Sequence, residues 1–79
     1  MVKIYSVAKY EGEYEGKKYT KALMIAAEGN SYPKLVSMNW KDYEKTLKEY
    51  GIDTLENRSV NNFLYRVYGK KAVIVGVEA

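Results

Sequence analysis

The chain has 79 residues, with 13 Lys+Arg against 10 Asp+Glu and a formal charge of +3, a size that fits a single domain. Cysteine and histidine are both absent, which excludes disulfides, Cys-based zinc sites, thiol nucleophiles and every Ser-His or Cys-His pair. At 47% hydrophobic and 29% charged residues, the composition is that of a folded domain rather than a disordered chain.

Residues 2–10 (VKIYSVAKY) alternate loosely and are rich in β-formers, which predicts a strand. Glu11 to Gly16 reads as a hairpin connection of moderate length, with Gly12 and Gly16 as its turn residues. Residues 17–27 then return as the partner strand; a short helix capped by Thr20 and ended by Gly29 is the alternative. The only proline, Pro33, closes a turn-like stretch that starts at Glu28, and residues 33–38 fit a third strand.

A helix over 40–50 carries the clearest signals. Asn39 is a good N-cap, Asp42 stands at the capping-box position, and Met38 with Tyr43 match a hydrophobic staple. Trp40, Tyr43, Leu47 and Tyr50 form one apolar stripe at helical spacing. Trp40 either anchors the helix to the sheet or projects at an interface. Glu44 precedes Lys48 in the favourable ion-pair order, and Gly51 with Ile52 predicts a left-handed terminator of Schellman type.

Asp53 to Asn62 reads as an irregular connection. Residues 63–68 and 72–77 then predict a second hairpin around Gly69, with its last strand the most apolar and central. The spacing of Val60, Phe63, Leu64 and Val67 leaves a second helix at 59–68 as the alternative. The predicted fold class is α+β: a small antiparallel sheet or barrel in the order β-β-β-α-β-β, with one packed helix. That is the element order of the OB-fold, a small five-stranded barrel. A chain this short needs a well-packed core, a partner subunit, or both, since ordering it costs about 1.5 kcal/mol per residue.

No run approaches the length of a membrane span, and Met1 to Ser6 does not read as a secretory signal, so the expectation is a cytoplasmic protein. Lysine supplies 11 of the 13 positive charges, glutamate supplies 8 of the 10 negative ones, and glutamine is absent. That bias resembles proteins of thermophiles.

Charge is uneven along the chain. Residues 1–39 carry six lysines against four glutamates, residues 40–57 three lysines against five acids, and residues 58–79 four cations against one glutamate. The predicted sheet is therefore basic and the helical segment acidic. Nine tyrosines, too many for one small core, interleave with the cations: Lys3 with Tyr5, Lys9 with Tyr10, Lys17 and Lys18 with Tyr19 and Lys21, and Tyr65 with Arg66, Lys70 and Lys71. Cations neutralise phosphates and release counterions, while rings stack on unpaired bases. Tyr5, Tyr19 and Tyr65 on one exposed sheet face would make a stacking platform.

These twelve residues define the candidate site of a non-catalytic module that binds single-stranded or non-specific nucleic acid. The alternative is a protein-interaction or inhibitor module of mobile-element or viral type, with surface tyrosines as hot spots and the acidic helix face (Asp42, Glu44, Glu49) docking on a basic partner. Homodimerisation is compatible with either. No catalytic constellation, cofactor motif or metal site is predicted: Glu11, Glu13 and Glu15 lack the pattern of a calcium loop, Gly12 to Gly16 is no phosphate loop, and the serines have no base beside them.

Overall fold

The computed structural model describes the whole chain, Met1–Ala79. β1 (Val2–Tyr14) and β2 (Lys17–Glu28) pair antiparallel along their full length. Both residues between them have positive φ, Glu15 at 51° and Gly16 at 76°. That is the signature of a type I′ turn, whose twist matches that of the strands it joins. The stretch 11–14, read from sequence as connection, is therefore strand, because a two-residue turn lets Tyr14 pair with Lys17 and Glu11 with Thr20. A register shift between Ile4 and Ser6 places a bulge at Tyr5. The alternative helix within 20–28 does not form: that segment pairs with β1 on one side and with β3 (Lys34–Asn39) on the other.

α1 (Trp40–Tyr50) occupies the span the periodicity gives. Asn39 has the extended backbone of an N-cap, but its side chain makes no capping hydrogen bond. The staple pair Met38 and Tyr43 is buried. Gly51 takes the left-handed conformation at φ 64°, and the Ile52 N–H donates to the Leu47 carbonyl at 3.0 Å, the Schellman closure. Thr46 is buried inside the helix and satisfies its hydroxyl by donating to the Asp42 carbonyl at 2.8 Å. Trp40 packs partly against the core and lies over Tyr43, ring centroids 5.0 Å apart, which favours its anchoring role.

The tyrosines of α1 also hold the chain that follows. The Leu55 N–H donates to the Tyr43 hydroxyl at 3.2 Å, and the Tyr50 hydroxyl donates to the Val77 carbonyl at 2.8 Å. Within the segment expected to be irregular, a three-residue β4 (Arg58–Val60) pairs with Val2–Ile4 of β1. β5 (Asn62–Tyr68) and β6 (Lys71–Glu78) form the second hairpin. Residues 59–68 are thus not a helix: Tyr65, Val67 and Tyr68 pair across to Ile74, Ala72 and Lys71 instead.

The sheet order is β4-β1-β2-β3-β6-β5. β6 lies inside the sheet, parallel to β3 through the single pair Met38↔Ile74. The six strands curl into a half-barrel around one cluster that includes Ile4, Met24, Met38, Tyr43, Leu55, Phe63 and Ile74. No helix is long and apolar enough to cross a membrane. Because β3 pairs with β2 only as far as Lys21↔Asn39, the outer part of the β1–β2 hairpin is a two-stranded arm, and the molecule measures 38 × 29 × 19 Å.

Candidate functional site

In an antiparallel ribbon, residues directly opposite one another share a face, and successive residues alternate. The arm's register pairs Tyr10 with Lys21, Gly12 with Tyr19, and Tyr14 with Lys17. Three tyrosines and two lysines therefore share one face. Glu11 and Glu13 fall on the opposite face, across from Thr20 and Lys18. Lys9 also lies on that second face, its Nζ 4.9 Å from the centroid of the Trp40 ring. A sequence segment with nearly balanced charge thus becomes a ribbon with one side that is aromatic and cationic only.

Two of the three rings on that side, Tyr10 and Tyr19, contact neighbours. Tyr10 and Tyr19 lie with centroids 6.1 Å apart, tilted by 44°, and the Lys21 Nζ is 5.8 Å from the Tyr19 ring, within cation–π range. A Cβ built onto Gly12 would stand 2.5 Å from both Cζ and Oη of Tyr19. The hydroxyl end of the ring lies over Gly12, in space that any side chain at 12 would occupy. The Tyr19 phenol is raised above its ordinary pKa, chiefly by the neighbouring Tyr10 phenol. The sequence reads Gly12 and Tyr14 as part of the connection. Only the two-residue turn, once recognised, fixes the register that puts them here.

The other predicted residues occupy other places. Tyr65 stands on β5, where it lines two adjoining clefts. One, of about 350 Å³, also includes Lys21, Ser37, Asn39, Ala72 and Val73. The other, of about 280 Å³, includes Glu28, Tyr32, Lys34 and Phe63. Burial, and secondarily the charge of Glu28, raises the Tyr65 phenol above its ordinary value. The first cleft brings Lys21 and Tyr65 to one groove beside β3. Lys70 lies in the turn of the second hairpin and Lys71 opens β6. The Arg66 guanidinium donates to the Tyr68 hydroxyl at 3.3 Å, which with Asp42 holds its proton more firmly. Lys3 donates to the Asn57 carbonyl at 2.9 Å and ties β1 to the segment before β4. Tyr5 is exposed at its bulge, away from the arm. Tyr5, Tyr19 and Tyr65 do not form one platform; Tyr10, Tyr14 and Tyr19 do share a face.

Eight of the nine tyrosines are exposed, Tyr43 alone being buried. No group of three or more His, Cys, Asp or Glu side chains converges as a metal site. No protein-family model, no curated protein and no solved structure matches this chain.

Proposed function

We propose that the chain is a non-catalytic binding module for single-stranded or non-specific nucleic acid, with the β1–β2 arm as its primary contact surface. The single observation that carries this reading is the sorting of side chains by register: Tyr10, Tyr14, Tyr19, Lys17 and Lys21 on one face, Glu11 and Glu13 on the other. Bases stack on the rings with little regard to sequence, and the ammonium groups neutralise the backbone. Tyrosines grouped with lysines favour nucleic acid over a protein partner, whose hot spots sit in charge-depleted surface.

Topology adds support. Asn61 alone separates β4 from β5, and its N–H donates to the Glu78 carbonyl at 2.7 Å. Taken as one bent strand that pairs with β1 at its start and β6 along its length, this element supports an OB-like reading of the half-barrel, β3 lying parallel to the last strand. In that fold the face of strands 2 and 3 and the two hairpin loops bind oligonucleotides. The corresponding surface here runs from the arm, past Lys21 and the groove beside Tyr65, to Lys70 and Lys71. The barrel analogy is one of fold; the arm's chemistry carries the functional reading.

Titration of a labelled oligonucleotide against variants tests it. Tyr19→Ala removes one stacking ring and is expected to weaken binding by roughly 5- to 150-fold even at low salt, the equivalent of about 1–3 kcal/mol. Lys17→Ala is expected to lower the slope of log affinity on log salt by about 0.7. Unchanged affinity in both variants contradicts the arm as the contact surface.

A further inference from the structure

We propose that the protein forms a two-fold dimer through antiparallel pairing of its β5 strands. The sheet has two edge strands, β4 and β5. β4 is three residues long and begins with Arg58. β1 is also unpaired on one side beyond Ile4, but that stretch carries Lys9, Glu11 and Glu13. β5 is different. It runs for seven residues, NFLYRVY, with no proline, no lysine and no acid, and the residue left over at the β5–β6 register shift belongs to β6. Natural edge strands are guarded by such residues because a bare row of N–H and C=O groups templates further pairing. Leu64, Tyr65, Val67 and Tyr68 on this edge are 45%, 54%, 70% and 55% exposed.

The total surface agrees. The chain exposes 5906 Å² at 9.1 kDa, whereas a compact monomer of that mass exposes roughly 4,900 Å². The excess covers the two-stranded arm as well as the β5 edge, and its size is comparable with the ~800 Å² that each partner contributes to a standard interface. A second copy fits the edge chemically. Arg66 is the only charge on β5, and a two-fold centred on Tyr65 sets it opposite Leu64 rather than opposite its own equivalent. Each copy's unpaired backbone row then meets an identical row, as an isologous contact requires. β3 and β6 separate this edge from the arm in the sheet order, so the arm variants and the β5 variants test the nucleic-acid reading and the dimer separately, although Tyr65 belongs to both surfaces.

Light scattering coupled to size exclusion, at roughly 100 µM protein, tests the proposal. The expected mass is twice 9.1 kDa, falling to the single-chain value in Val67→Lys and Leu64→Lys with circular dichroism unchanged. A wild-type mass of 9.1 kDa, or a dimer that persists in both folded variants, overturns it. Should the variants unfold, hydrogen exchange on the wild type decides: β5 amides that gain protection with concentration support the pairing, and β5 amides whose exchange is independent of concentration overturn it.

Discussion

Gly12 shows how much one hydrogen atom in place of a side chain decides. Its missing Cβ is the space in which the Tyr19 ring lies, so the glycine sets the height and tilt of the ring beside Tyr10. The far end of a flexible side chain can swing away, so Gly12→Ala is expected to keep the fold and its circular dichroism while tipping Tyr19 off the ribbon. Binding should then fall about as far as in Tyr19→Ala, and the double variant should be no weaker than either single one. Additive losses would mean that Gly12 does not seat the ring. Tyr65 makes a different prediction. Its phenol is raised above 10.0 by burial first and Glu28 second, so the neutral form is favoured in the folded chain. That contribution is complete below pH 10 and is lost as pH rises through the folded value. Urea midpoints measured from pH 8 upward should fall more steeply above about pH 10 in the wild type than in Tyr65→Phe; parallel profiles would contradict the assignment.

At the scale of elements, local agreement explains what was legible. α1 was readable to the residue because its stripe, its staple and its Gly51 terminator all point to one helix. β3 and β6 were readable from their β-forming residues, β2 only because the hairpin ahead of it needs a partner strand, and β5 from its aromatic and β-branched content, with a helix as the alternative for both β2 and β5. The length of the arm was not, since Glu at the first turn position lacks the Asn or Asp that signals a type I′ hairpin. β4 escaped notice because a three-residue strand, Arg58–Val60, carries no periodicity and exists only through its pairing with Val2–Ile4. The candidate site suffered from the same gap. Residue types identified Tyr10, Tyr19, Lys17 and Lys21, but register alone divides them from Lys9 and Lys18. One prediction belongs at this scale. Tyr43→Phe leaves the ring in the core but removes the acceptor for the buried Leu55 N–H. It is expected to cost about 1–3 kcal/mol and to lower Tm by several degrees, as read by thermal melting. An unchanged Tm would show that the 53–57 segment does not depend on that bond.

For the whole molecule, the arrangement matters more than the net charge of +3. The arm keeps Glu11 and Glu13 off the face that bears Lys17 and Lys21, and the acidic side chains Asp42, Glu44 and Glu49 ride on α1. A modestly charged chain can then present locally cationic surface to a polyanion. With about four lysines on phosphates (Lys17, Lys21, Lys70 and Lys71), counterion release predicts about a fiftyfold loss of affinity between about 50 and about 200 mM salt. The most direct test of the account is fluorescence anisotropy of a labelled single-stranded oligonucleotide titrated with the wild-type protein at those two salt concentrations. The account predicts saturable binding at the lower salt and a steep loss at the higher one; flat anisotropy at the lower salt would contradict it.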